Sequence, residues 1–113
     1  MENLQKALDH IIDNVKKYRA CAVDDGEQLV SILQQLTATL FYLEKERADY
    51  HDKFQCIINA LVLEGKTVSR AENQAHVDIP QMYMLRHVMS AGYEVVGALR
   101  SQISWLKTER NAV

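Results

Sequence analysis

The feature of this sequence that most restricts its fold is an apolar seam that runs without a slip from residue 29 to residue 61. Its members are separated by alternating steps of four and three, which places them along one side of a single long α-helix. They are Leu29, Leu33, Leu36, Leu40, Leu43, Arg47, Tyr50, Phe54, Ile57 and Leu61. Asp24 and Asp25 are both available as the N-cap, and Gly65 is placed to end the helix. The predicted helix spans residues 26–63 and is roughly 57 Å long.

Two more seams with the same alternation lie on either side of this long helix. Leu4, Leu8, Ile11, Val15 and Tyr18 predict a first helix over residues 2–20. A last helix over residues 79–109 is predicted by Met82, Leu85, Met89, Gly92, Val96, Leu99, Ile103 and Leu106. Four Gly and one Pro in 113 residues are too few for the many turns of a β fold. We therefore expect an all-α fold and one helical domain covering residues 1–113.

The segment between the two long helices contains the chain's remaining turn signals. Ser69 and Glu72 have the spacing of a capping box, which predicts a short helix over residues 69–76. Pro80 is expected in the first turn of the last helix, where a missing backbone N–H is tolerated.

Two long rods joined by a short connection are expected to form an antiparallel helical hairpin with their seams facing. If their ends match, Leu61 lies near Met82, and Tyr50 comes opposite Gly92. The first helix is about half as long as the second, so it can cover only one end of this hairpin. Because the other end would leave an apolar band in water, the sequence predicts a homodimer with a four-helix core.

Charge and composition exclude several classes of protein. A net charge of −2 argues against a protein that binds polyanions mainly through many Lys and Arg contacts. The N-terminal residues lack the apolar core of a secretory signal, and no apolar run approaches the roughly 20 residues that span a bilayer. Cys21 and Cys56 have neither the number nor the spacing of a disulfide or zinc framework, and Cys56 is expected to be a buried, inert thiol. We expect a cytoplasmic protein with no membrane contact.

Motifs that carry chemistry are weak in this chain. Gly65, Lys66 and Thr67 resemble the end of a phosphate-binding loop, but Ala60 stands where that loop needs glycine, and no strand precedes it. A polar cluster on the long helix could hold a divalent metal in an all-α nucleotide hydrolase, although no second acidic pair appears on another helix. Its members are Glu44, Glu46, Asp49, His51 and Asp52. We expect a solvated charged surface there, no catalytic residue, no cofactor and no metal.

The polar residue within the seam of the long helix is Arg47. A charge in a helical seam lowers stability and often fixes register or partner choice. The alternative is that its aliphatic stem lies along the seam while its guanidinium reaches the surface or a neighbouring acid.

A stripe of basic and aromatic residues runs along the last helix, one step beyond its seam. Arg86, Tyr93, Arg100 and Lys107 recur every seven residues, with Trp105 and Arg110 near the end of the helix. This pattern could follow a nucleic-acid strand, with bases stacked on rings and phosphates paired with cations. It is also where helical bundles place charges that pair with an adjacent helix, and the long helix here is acidic. We favour pairing with the long helix and keep the stripe as the candidate interaction face.

The last helix and the short segment before it carry a family resemblance. Residues 69–110 resemble small helical proteins of tailed bacteriophages and prophages, whose pattern ends in LRS.IS.LK.E. The counterparts here are Pro80, Tyr83, Arg86, Leu99, Arg100, Ser101, Ile103, Leu106, Lys107 and Glu109. The resemblance implies a mobile-element gene, often near recombination and single-strand-binding functions, in a bacterial host cell.

Three functions follow as expectations. The leading one is a non-enzymatic, dimeric interaction protein that binds an unidentified protein partner. The second is an accessory of phage recombination or replication that binds single-stranded nucleic acid. The third is an all-α, metal-dependent nucleotide hydrolase.

Overall fold

In the computed structural model, which describes residues 2–111, the chain forms four α-helices and no strand occurs in that range. The helices are α1 (Glu2–Ala20), α2 (Gly26–Leu63), α3 (Val68–Asp78) and α4 (Gln81–Asn111). The predicted all-α class is confirmed. None of these helices is both long enough and apolar enough to cross a lipid bilayer.

The ends of α2 have the capping groups that the sequence suggested. The Asp25 carboxylate accepts a hydrogen bond from the Gln28 backbone N–H at 3.2 Å, which satisfies one of the free donors of the first turn. At the other end Gly65 adopts φ +96°, a left-handed conformation that favours glycine. The backbone N–H groups of Gly65 and Lys66 then donate to the carbonyls of Val62 and Leu61, which forms a Schellman cap.

The connection between α2 and α4 is more helical than expected. Thr67, and not Ser69, is the N-cap of α3, and its hydroxyl accepts from the Arg70 backbone N–H at 3.3 Å. Ser69 is already inside α3, so the predicted capping box is wrong. Pro80 precedes α4 and is not in its first turn, because α3 continues to Asp78 and Ile79 is its C-cap.

The helix α1 lies along the pair formed by α2 and α4. Its start borders the start of α4, where Leu4 and Leu8 line a shallow cleft with Met84. Its end borders a later turn of α4, where the Tyr18 hydroxyl donates to the Gln102 side-chain oxygen at 3.3 Å. α1 is therefore parallel to α4 and antiparallel to α2.

A long hydrophobic core fills the space between these three helices. It contains Leu4, Leu8, Ile11, Val15, Leu29, Ile32, Leu36, Leu40, Leu43, Leu85, Met89, Val96 and Leu99. A second, smaller cluster contains Phe54, Ile58, Ala71, Ala75, Ile79 and Met82. Ala71 and Ala75 lie one turn apart on α3 and are fully buried, so their small side chains let α3 approach α2 closely. Ile58, and not the seam residue Ile57, is the buried neighbour of Phe54 at this end.

The pairing of α2 with α4 differs from the expected register. A Cβ added to Gly92 would lie 3.2 Å from side-chain atoms of both Ile11 and Leu40, so Gly92 faces these two residues and not Tyr50. α3 occupies the last turns of α2, and α4 therefore begins a few turns before the end of α2, where Met82 clusters with Phe54 and Ile58. The glycine is a point of close approach for α1 and α2, and the predicted contact with Tyr50 is wrong.

α3 also covers the end of α2 that the sequence predicted to be uncovered. α1 covers one half of α2, and α3 covers the turns around Phe54 and Ile58 that were expected to be bare. The molecule is a rod with extents of 68 × 28 × 19 Å. Exposed apolar surface must therefore be sought along its sides.

Candidate functional site: the open face of the helical hairpin

One long side of the α2–α4 hairpin has no helix packed on it. Gln102 accepts from the Tyr18 hydroxyl of α1 and donates to the carbonyl of Val23 in the loop after α1, so α1 occupies the side of α4 that Gln102 marks. Residues on the other side of α4 point away from α1. We call that side the open face and define it by Val30, Phe41 and Glu44 of α2 together with Tyr93, Gly97 and Arg100 of α4.

A hydrogen bond between Tyr93 and Glu44 fixes the pairing of the two helices on the open face. The Tyr93 hydroxyl donates to Glu44 Oε1, and Arg47 donates to Glu44 Oε2 at 3.0 Å. One turn further along each antiparallel helix come Phe41 and Gly97. The open face therefore has a large aromatic ring and a residue without a side chain at the same level.

No packing within the chain explains why position 41 has an exposed aromatic ring or why position 97 has a glycine. The Phe41 side chain is 81% exposed, although burying such a ring contributes about 1.5–3 kcal/mol. A Cβ added at Gly97 would meet nothing within 4 Å, so no close approach within the chain requires glycine there. Glycine in the middle of a helix costs about 1 kcal/mol relative to alanine. Both features are consistent with a contact made by another molecule.

The Glu44–Tyr93 hydrogen bond changes the acidity of both groups. The pKa of Tyr93 is raised to about 12, and desolvation of the phenol is the largest cause. The hydrogen bond to Glu44 and the negative charge of Glu44 raise this pKa further, whereas the positive charge of Arg47 lowers it. The hydrogen bond from Tyr93 is the main cause that lowers the pKa of Glu44, with Arg47 assisting and desolvation opposing. At neutral pH the pair is a neutral phenol donating to a carboxylate.

The predicted pairing of the basic stripe with α2 is not formed. Among the side chains of residues 3–110 the one ion pair closer than 4 Å joins Arg47 and Glu44 of the same helix. Arg86, Arg100 and Lys107 are exposed and have no carboxylate at that distance. The interhelical contact of the stripe is instead the hydrogen bond that Tyr93 makes.

The two remaining members of the predicted interaction face lie elsewhere. Trp105 is 56% exposed, and helical geometry places it roughly 160° around α4 from Lys107. Arg110 and Lys107 line a groove at the end of the rod together with the acidic side chains of Asp24 and Glu27. The structure therefore brings Arg86, Tyr93, Arg100 and Lys107 to one side and separates Trp105 from them, whereas Arg110 shares with Lys107 a groove that also contains acids.

The guanidinium of Arg47 reaches the surface and a neighbouring acid, which is the alternative that the sequence left open for this arginine. Its side chain is 53% exposed and its guanidinium reaches Glu44, three residues earlier. In sequence Arg47 lies between Leu43 of the long core and Phe54 of the smaller cluster. The charge is therefore not enclosed in the core.

Other candidate residues do not assemble into a chemical site. In the part of the chain that the structure describes, no three His, Cys, Asp or Glu side chains lie close enough to hold a metal ion. Gly65, Lys66 and Thr67 form the cap of α2 and the N-cap of α3, so they are a turn between helices. Cys56 is exposed, contrary to the expected buried thiol, because it points away from the cluster around Phe54 and Ile58.

Sequence reasoning missed two residues that the structure makes conspicuous. Gly97 was not singled out, although an isolated glycine inside a helical pattern was a usable signal. Asn14 is 1% exposed and is the buried polar residue of the described chain. Its place between Ile11 and Val15, next to the α1 seam, is a sequence signal of burial.

Comparisons with protein-family models, with curated proteins and with solved structures found no match for this chain. Its function is therefore inferred from its own residues.

Proposed function

We propose that this chain is a non-enzymatic helical interaction protein, of the phage and mobile-element type that its last helix resembles, and that the open face is its contact surface. The partner seated on that face is a second copy of the chain. The observation that carries the proposal is the ring of Phe41, 81% exposed in the middle of the open face.

A second copy is favoured because the open face has a protruding ring and an open surface side by side, at the same height along the hairpin. A two-fold interface pairs one patch with itself, so the patch must hold both the group that protrudes and the surface that receives it. Phe41 protrudes from α2, and the register set by the Glu44–Tyr93 hydrogen bond puts Gly97 of α4, with open space around it, at the same level. In the pair, each Phe41 would lie over the Gly97 backbone of the other copy. Two hairpins joined in this way give a four-helix interface.

The experiment is the mass of the protein in solution as a function of concentration. Light scattering and sedimentation should show a dimer in the micromolar range for the wild type. Phe41→Ser should shift the protein to monomer, and Gly97→Gln should do the same because its side chain fills the surface that receives Phe41. Circular dichroism should show unchanged helix content, since both positions are exposed in the single chain.

A matched control comes from the end of α2. Leu63 is 89% exposed but lies outside the open face, so Leu63→Ser should leave the dimer intact. Charged substitutions at Leu40 or Leu99 are unsuitable, because both residues are buried in the core of one chain and their loss would unfold it. A wild-type protein that stays monomeric at high micromolar concentration, or a dimer that survives Phe41→Ser, would overturn the proposal.

A second candidate function is the binding of single-stranded nucleic acid along the stripe of α4. It is favoured by the observation that Arg86, Arg100 and Lys107 are exposed on one side without an acidic partner within 4 Å. Arg100→Glu combined with Lys107→Glu should then weaken binding of a labelled oligonucleotide, and affinity should fall steeply with salt. Fluorescence anisotropy at low and physiological salt measures both effects. Absence of binding at low salt would eliminate this candidate.

A further inference from the structure

A second surface, near the junction of α2, α3 and α4, gathers positive charge around a cleft. The cleft has a volume of about 270 Å³ and is lined by Arg47, Ala48, His51, Met82 and Arg86. Its lining contains two guanidinium groups and an imidazole, but no carboxylate. This composition differs from the groove at the other end of the rod, where acids and bases are mixed.

The two arginines reach the cleft from different helices. Arg47 belongs to α2 and Arg86 to α4, and like charges that share a cleft repel each other unless an anion lies between them. Arg47 engages Glu44 through Nη2, which leaves most of its five N–H donors available. Arg86 has no carboxylate within 4 Å among the side chains of residues 3–110. Both guanidinium groups can therefore donate to a ligand.

A second cleft of about 250 Å³ continues from the first and shares His51, Met82 and Arg86 with it. Its other walls carry rings, including Phe54 and His76, whose ring centroids are 4.8 Å apart. The buried thioether of Met82 lines both clefts. The charged or titratable groups that line the two clefts are Arg47, His51, Glu72, His76, Tyr83 and Arg86.

We infer that the first cleft binds a phosphate group between Arg47 and Arg86. Arginine is suited to this ligand because its planar guanidinium donates two parallel hydrogen bonds to phosphate oxygens. Each cleft is smaller than the roughly 300–1,000 Å³ of pockets for drug-sized ligands. The ligand is therefore inorganic phosphate or the phosphate of a mononucleotide, whose base would lie against the rings of the second cleft. This site is separate from the contact between Phe41 and Gly97 on the open face.

The test is a titration of ¹⁵N-labelled protein with inorganic phosphate, followed by amide chemical shifts at constant ionic strength with chloride as the reference anion. Saturable shifts are expected for amides around residues 47–51 and 82–86. Arg86→Gln should weaken binding about tenfold or more, since it removes charge-assisted hydrogen bonds. Arg19→Gln is the matched control, because Arg19 is an exposed arginine of α1 outside both clefts and outside the open face, and binding should be unchanged.

Adenosine monophosphate provides the second arm of the titration. Tighter binding than that of inorganic phosphate, by about tenfold, identifies a mononucleotide site, and equal affinity identifies a site for free phosphate. Repeating the titration on Phe41→Ser separates this inference from the proposed dimer, because the clefts do not include Phe41. Shifts that do not saturate, or equal weakening by Arg86→Gln and Arg19→Gln, would overturn the inference.

Discussion

Asn14 is a polar side chain enclosed by the core of the rod. Its Nδ2 donates to the His10 carbonyl at 2.9 Å, but Oδ1 has no partner. An unsatisfied buried polar atom costs about 1–3 kcal/mol. Asn14→Leu, which keeps the number and branching of the side-chain heavy atoms but is apolar, should therefore raise the free energy of unfolding by about 1 kcal/mol, measured by urea denaturation. His10→Ala is the control, since it removes the ring beside Asn14 but leaves the backbone bond. A loss of stability in Asn14→Leu would mean that Oδ1 is satisfied in solution.

Tyr93 and Glu44 predict a pH dependence at the same scale. The pKa of Tyr93 is raised to about 12 in the folded chain. The stabilisation of the folded state by the neutral Tyr93 phenol is therefore complete below about pH 10 and is lost as pH rises towards 12. The lowered pKa of Glu44 means that its contribution is complete above the ordinary carboxyl pKa and is lost as pH falls through the folded value. The stability difference between the wild type and Tyr93→Phe should thus be constant near neutral pH and shrink at both extremes.

Alkaline absorbance titration tests the causes of the Tyr93 shift separately. Tyr93→Phe should remove the tyrosine that titrates with a pKa of about 12. Glu44→Gln should lower the pKa of Tyr93 but leave it above the ordinary value, because desolvation is the largest cause and remains. Helix content is followed in parallel to show that the chain is still folded. An unchanged Tyr93 pKa in Glu44→Gln would contradict the role assigned to the hydrogen bond.

Within the element α4, two glycines in the same helix should respond differently to the same substitution. Gly97→Ala adds a methyl group that meets nothing within 4 Å, so the single chain should gain about 0.5–1 kcal/mol of stability from helix propensity. At Gly92 the methyl would lie 3.2 Å from side-chain atoms of Ile11 and Leu40, which must move. Gly92→Ala should therefore gain less than Gly97→Ala or lose stability. The measurement is urea unfolding at a concentration where the chain is monomeric, and equal gains would contradict the close approach at Gly92.

The whole molecule is elongated because α1 and α3 cover successive parts of α2. Its radius of gyration over Cα atoms is 18.7 Å, whereas a compact domain of the same length would have about 13 Å. Small-angle X-ray scattering of Phe41→Ser, at a concentration where light scattering gives the mass of one chain, should give a value close to that of the rod. A value near 13 Å would show that the rod bends or that α3 packs elsewhere. Tyr50 borders both hydrophobic clusters and is the residue through which the two parts of the rod share a core.

Local signals determined most of the secondary structure. The alternation of four and three, the cap at Asp25 and the glycine at position 65 each act within a few residues of the chain, so they could be recognised without coordinates. The same holds for the stripe of Arg86, Tyr93 and Arg100, which follows from helical periodicity alone. What these residues contact was not predictable in this way, because a seam shows which side of a helix is buried but not what covers it.

The tertiary structure alone decided the register of α4 against α2 and the residues that stay exposed. The buried Ala71 and Ala75 let α3 occupy the last turns of α2, which moved the partner of Gly92 from Tyr50 to Leu40 and covered the end that was expected to be bare. The sequence determined four helices and the sides they bury, since those depend on spacing along the chain. The open face around Phe41 and the cleft between Arg47 and Arg86 arise only from how the helices pack, since each joins residues that are far apart in sequence.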